Sequence, residues 1–264
     1  MDGDAAAAFF ESFFSDWSKQ LDASLADVRR LEAQRNADVL PQDVQPHVDL
    51  WNELGSAKAK AIEGDVLYMA AGLWQTPFER AFSWLGGVRP TIMFQLIYSQ
   101  IGAQTSRSLA ALLEGEESSS LASLTSSQLT TLSSLQERTI RLEEQLSTQL
   151  AEVQTTMPVL PLPPGVADNL SRQDSGTGSS GSTGDSDEVA MPDPDVRRKV
   201  ALMDDATRRL QSLKRLLLDA DRLRVETRRQ LCALLAPAQA LQFYKGLGEL
   251  WQAQRALGEA LDCG

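Results

Sequence analysis

Few residues of this chain are placed to do covalent or metal chemistry. Histidine occurs once, at His47, in a stretch punctuated by Pro41 and Pro46. A lone histidine in such a turn reads as a surface or capping residue, and neither a Ser-His-Asp nor a Cys-His set can be assembled around it. Cys232 and Cys263 are too far apart for a CxxC metal or redox motif. Neither HExxH nor GxxxxGK[ST] occurs. Gly176-x-Gly178-x-x-Gly181 spells the dinucleotide fingerprint, but it follows no strand and opens no helix, so it reads as chance. Glu143 and Glu144 offer paired carboxylates for acid–base work. Adjacent helical positions do not share a face, so the pair reads as solvated charge. The reading is therefore of a non-enzyme, with no catalytic residue and no metal ligand.

Charge offers more. Between Asp195 and Leu235 eleven Lys and Arg stand against six acids, about +5, which leaves about −16 for the rest of a chain of net charge −11. The favoured reading is an outer helix face paired with acidic helices. The functional one is a docking face, carried by Arg208, Arg215, Arg222 and Arg229, for an acidic protein surface, a phosphate or a calmodulin-type partner. Aromatic residues crowd the first hundred positions, among them Phe10, Phe13, Phe14, Trp17, Trp51, Trp74 and Trp84. At helical spacing they read as core, with a subset able to line an apolar cavity.

The chain has 264 residues and a pI near 4.7, with 42% hydrophobic and 23% charged residues. That balance argues against gripping a nucleic-acid backbone or an anionic membrane along its whole length. The start Met1-Asp2-Gly3-Asp4 is not that of a signal peptide. No run of about 18 apolar residues predicts a membrane span. Two cysteines make no disulfide framework, so a reducing compartment, nucleus or cytoplasm, is expected. The Asn169-Leu170-Ser171 sequon carries no weight without a secretory route.

The elements that must position these residues are helices. The first is predicted from about Ala5 to Gln34, with Phe10, Phe13, Phe14, Trp17, Leu21, Leu25, Val28 and Leu31 on one stripe. A turn at Pro41 and Pro46 precedes a second, from about Val48 to Leu73. Thr76-Pro77-Phe78-Glu79 spells a capping box with proline at the first helical position. That short helix ends before Gly86-Gly87, and Arg89-Pro90 opens the next, which runs to about Glu114. Thr125-x-x-Gln128 is a second capping box, with Leu124 and Leu129 spaced as a hydrophobic staple. Behind it a long helix reaches about Thr156, buried along Leu132, Leu135, Thr139, Leu142, Leu146, Leu150 and Val153. Prolines 158 to 164 end it. Residues 165–192, rich in Ser, Gly, Thr and Asp, are expected to be disordered, with Ser186-Asp187-Glu188 as a phosphorylation candidate beside the favoured reading as spacer. A long helix from Asp193-Pro194 to about Leu235 and a last one to about Leu261 follow. The expectation is an all-α single bundle over 1–264, ordered at about 5–157 and 193–262. It has seven or eight helices, and the two long ones flanking the insertion pack as neighbours.

Several segments together resemble a known family. They are Phe10-Glu11-Ser12-Phe13 with Trp17, Trp74-Gln75-Thr76-Pro77-Phe78-Glu79-Arg80-Ala81, and Trp84-Leu85-Gly86-Gly87-Val88-Arg89-Pro90-Thr91. With them go Leu124-Thr125-x-x-Gln128-Leu129 and Leu135-Gln136, then Ala220-Asp221-x-Leu223-Arg224-x-x-Thr227, then Pro237-x-Gln239-Ala240. Across about residues 9–258 the chain resembles the plant Delay of Germination (DOG) domain, which also forms the C-terminal part of TGA-class bZIP transcription factors. The resemblance starts at about Phe9, which leaves no room for a basic DNA-reading helix. DNA is therefore expected to be reached only indirectly, although the wider family includes DNA binders.

The resemblance implies the stand-alone group, which acts in seed dormancy and abscisic-acid signalling through clade A protein phosphatases 2C. Candidate partner-binding residues are Phe10, Phe13 and Trp17. Trp74, Thr76, Glu79, Trp84, Gly86, Gly87, Arg89 and Pro90 are the family motif, structural or pocket-lining. Some members hold haem through histidines of the C-terminal half. This sequence has none after His47, so haem is not carried over, and no cofactor is expected. TGA-type domains hold a fatty acid, which this chain does not exclude. TGA-type bZIP factors and a second copy of the chain are the other partners the resemblance admits.

Overall fold

The computed structural model describes residues 3–33, 39–114, 124–155 and 194–262. Those residues form eight helices and no strand. They are α1 (Gly3–Ala33), α2 (Pro41–Gly64), α3 (Val66–Ala71), α4 (Pro77–Ala81), α5 (Thr91–Glu114), α6 (Ser126–Thr155), α7 (Pro194–Leu234) and α8 (Pro237–Asp262). The expected insertion at 165–192, its Ser186 and the glycines at 176–181 lie outside the described residues, as does Cys263. No described helix is long and apolar enough to cross a membrane.

The all-α bundle is as the periodicity predicts, and three local expectations change. Pro41 and Pro46 do not mark a turn. Pro41 is the first residue of α2, and Asp43 accepts the Leu40 amide at 2.8 Å to close that end. Pro46 lies inside the helix, where the missing amide removes one backbone bond close to an end that already lacks several. The expected helix from Val48 to Leu73 is two helices. Asp65 leaves the helical conformation and its carboxylate caps α3 by accepting the Tyr68 amide at 2.9 Å. Gly72, at φ +62°, ends α3. The third change is at the start of α6. Leu124 enters the core while Leu129 is exposed, so the pair forms no staple.

Both capping boxes form. Thr76 and Glu79 exchange bonds at 2.7 and 3.2 Å, and Thr125 and Gln128 at 2.9 and 3.2 Å. Helix α2 lies at the centre, touching α1, α3, α7 and α8. The two long helices α6 and α7 pack together, as expected. Gln128 at the start of α6 donates to the Leu234 carbonyl at the end of α7, at 2.9 Å, so the pair runs antiparallel.

Candidate functional site

The tryptophan-glycine segment between α4 and α5 folds into a tight turn. Trp84 and Gly87 exchange both backbone bonds, at 2.6 and 3.2 Å. The two central residues, Leu85 at φ +47° and Gly86 at φ +71°, are left-handed. Glycine takes that conformation freely, whereas for leucine it is an outlier that its surroundings must hold in place.

The holders are buried charges from distant helices. Arg224 of α7 donates to the Trp84 carbonyl, to the Leu85 carbonyl at 3.2 Å and, through Nε, to the Val88 carbonyl at 2.8 Å. Lys58 of α2 donates to the Gly86 carbonyl at 2.9 Å. Asp221 accepts from Lys58 at 2.6 Å and from Arg224 at 2.5 Å. Lys58, Asp221, Arg224 and Arg228 are all less than 8% exposed. Thus two buried cations share one carboxylate, with a third, Arg228, near enough to feel its charge. Burial pulls the Lys58 ammonium down to about 8 against the opposing pull of Asp221. It pulls the Arg228 guanidinium down to about 10. Arg228 donates to the Trp51 carbonyl at 3.1 Å. A side chain on Gly87 would begin 3.1 Å from the Arg224 guanidinium, so glycine there is a matter of space.

The remaining motif residues close this turn against α6. The Trp84 indole donates to Ser147 at 3.0 Å, and the guanidinium groups of Arg89 and Arg224 lie 5.7 and 5.4 Å from its ring centre. Pro90 is buried ahead of α5. Thr91 donates its amide at 2.7 Å and its hydroxyl at 3.1 Å to Glu143. Glu143 is therefore no solvated partner of Glu144. It is a buried carboxylate at the N-terminus of α5, with Arg89 at 4.0 Å, a placement that suits negative charge. Burial raises its carboxyl against those bonds. Two motifs more than 130 residues apart in sequence, Trp84–Pro90 and Asp221–Arg224, thus meet in one buried structure.

The N-terminal aromatics form a second cluster. Phe10 and Trp17 are fully buried. Phe10, Phe14, Trp17, Trp51, Trp74 and Trp251 pack ring on ring at 4.9–6.2 Å. The Trp17 indole donates to the Leu50 carbonyl at 2.8 Å. This corrects the expectation for two of the three partner-binding residues. Phe10 and Trp17 have no surface to offer, because their stripe faces α2 and α8. Phe13 differs, since it is half-buried beside Phe9, and both line an open groove of about 610 Å³ between α1 and α2. Trp74 and Glu79 are buried with the cluster's end of α8, where Glu79 sits 3.5 Å from Arg255.

The four arginines of the expected docking face are exposed, and three are paired one turn back on α7. Arg208 meets Asp205 at 3.7 Å, Arg222 meets Asp219 at 2.6 Å and Arg229 meets Glu226 at 2.7 Å. The Arg229 bonds pull the Glu226 carboxyl down to about 2.

His47 is not on the surface. It is buried on α2, with Nδ1 2.5 Å from the Ser24 hydroxyl, and burial lowers its pKa against the pull of Asp27. Cys232 is half-buried against Tyr244, and burial raises its thiol. Among the described residues no group of three or more His, Cys, Asp or Glu is placed to hold a metal ion.

Comparison with known proteins places these motifs in a family context. Residues 7–99 match the family model for seed dormancy control. The chain is 27% identical to rice transcription factor TGAL6 over 96% of its own length and 53% of that protein's. It is 27% identical to rice transcription factor LG2, over 97% of this chain and 40% of the relative. Against Arabidopsis thaliana transcription factor TGA2 it is 26% identical, over 97% of this chain and 65% of the relative. The chain thus spans about half the length of the curated relatives it matches first. Residues 7–99 carry the seed dormancy control match, and across nearly its whole length the chain resembles TGA-class transcription factors, so the likeness to the DOG domain holds.

Proposed function

We propose that the chain is a non-enzymatic regulatory protein that binds other proteins in the nucleus or cytoplasm. It acts in seed dormancy and abscisic-acid signalling and in the regulation of transcription. The observation that carries this reading is the match of residues 7–99 to seed dormancy control. The interior supports it. The buried lysine, arginines and carboxylates hold backbone carbonyls and a helix end, the work of a rigid scaffold and not of an open reaction centre.

The candidate partners are a clade A protein phosphatase 2C and TGA-type bZIP factors. The contact on the N-terminal helix falls to Phe13, with Phe9 beside it, since both reach the surface groove. A second reading is a transcriptional co-regulator that pairs with TGA-type factors and reaches DNA through them. It is favoured by the match to transcription factors over 93–97% of the chain. The test is to recover tagged protein from developing seed and identify what co-purifies by mass spectrometry. A type 2C phosphatase that Phe13→Ala fails to recover supports the first reading. TGA-type factors without phosphatase support the second. Recovery of neither class overturns both.

A further inference from the structure

The groove between α1 and α2, where the proposed function places Phe13 and Phe9, has an ordered chemistry that says more about its occupant. Phe9 and Phe13, one turn apart on α1, are half-buried with stacked rings 6.4 Å apart, and with Ala57 they form an apolar middle. Asp49 and Glu53, one turn apart on α2, stand at one end. Lys60 stands at the other, its ammonium 4.1 Å from the centre of the Phe9 ring. These α2 positions share one face of that helix and span about three turns, roughly 16 Å. Two helices packed side by side over such a length leave a trough that fits the ridge of a third.

We infer that this groove docks a basic amphipathic helix of a protein partner. Two apolar side chains one turn apart lie over Phe9 and Phe13, and Lys or Arg side chains meet Asp49 and Glu53. Charge complementarity selects this occupant. The open end of the groove offers two carboxylates, on a chain whose net charge is −11, so a cationic helix is drawn to it and an acidic one is repelled. The apolar middle then supplies the anchor, as in other helix-in-groove contacts. This inference rests on the reading of the chain as a protein-binding regulator and names the chemistry of that partner.

The experiment uses the full chain and two fluorescein-labelled helical peptides of about 16 residues, one of Leu and Lys and one of Leu and Glu, about 24 Å long and so able to span the groove. Fluorescence anisotropy should show saturable binding of the Leu/Lys peptide alone. Asp49→Lys with Glu53→Lys should weaken it about tenfold and admit the Leu/Glu peptide. Phe13→Ala should weaken it by a similar factor, with an unchanged circular dichroism spectrum. No saturable binding, or binding within twofold of wild type in both variants, overturns the inference. Pull-down from seed separates the two levels. A regulatory partner recovered equally by wild type and by the charge-reversed variant overturns the groove and leaves the protein-binding reading intact. Peptide binding that follows the groove variants, with no partner recovered by wild type, supports the groove and removes the reading on which its biological role rests.

Discussion

Two regions of this bundle are held by opposite means. Around Trp17, six aromatic rings from α1, α2, α8 and the segment before α4 bury one another, with a single indole hydrogen bond to fix the register. Around Trp84, the turn is held by hydrogen bonds from Lys58 and Arg224 to its carbonyls, with Asp221 as their shared counter-charge. The first device is graded, because ring area can be trimmed and partly refilled. The second is brittle. Removing one member of a buried charge set leaves the others uncompensated, which is far worse than never having built the set.

The sharpest way to break this contrast is Asp221→Asn. It keeps the shape and takes from Lys58 and Arg224 the carboxylate they share, and should destabilise by about 3–5 kcal/mol in urea unfolding. Trp17→Phe, which removes more atoms, should cost less, about 1–3 kcal/mol, because the cluster keeps an aromatic ring and loses one hydrogen bond and some contact area. An aspartate variant milder than the tryptophan one would reverse the account. Gly87→Ala should cost about 1–3 kcal/mol through the crowding of Arg224 alone, with thermal melting as the readout.

A smaller effect follows from Lys58. Its folded pKa of about 8 lies below the ordinary lysine value of 10.5. Between those values the unfolded chain keeps a proton that the folded chain has released, so stability should rise with pH from 8 toward 10. Burial raises the Cys232 thiol above its ordinary 9.0 and Tyr68 and Tyr244 above their ordinary 10.0, which opposes this trend from about pH 9 upward. Urea midpoints measured from pH 7 to 9 should climb in wild type and change less in Lys58→Met. The smallest effect is on the outer face of α7. Arg222→Ala, which removes an exposed pair with Asp219, should change stability by no more than about 0.5 kcal/mol.

What was legible in the sequence divides along the same line. Signals whose partners lie three or four residues away were read correctly. The Thr76/Glu79 and Thr125/Gln128 boxes, the stripe of α1 and the buried edge of α6 are local facts. Features decided by distant partners were not. Eleven basic residues before Leu235 look alike in sequence, yet Arg224 and Arg228 are interior while Arg222 and Arg229 face water. The difference is a matter of which face of α7 meets α2 and the glycine turn. Glu143 reads as half of a surface pair until α5 is placed on it. His47 and Pro46 read as a turn because proline is a strong breaker, but its penalty is small near an N-terminus already short of bonds. Trp251, in the aromatic cluster, lies outside the crowded first hundred residues and only its ring contacts reveal it. The DOG resemblance picked out Asp221 and Arg224 as motif positions, though not that they meet the glycine turn.

The Arg224 bonds to Trp84, Leu85 and Val88 also bear on how the chain is made. The turn is synthesised more than 130 residues before the arginine that fixes it. At a translation rate of about 5–20 residues per second, the carbonyls of that turn wait on the order of ten seconds for their donor. During that interval Leu85 must hold its left-handed conformation with the Trp84–Gly87 bonds and Lys58 but without Arg224. The stretch from 7 to 99 that matches the seed dormancy control model is therefore completed from outside itself. An isolated fragment of those residues should resemble the nascent chain, with its helices begun and its central turn not yet fixed by Arg224.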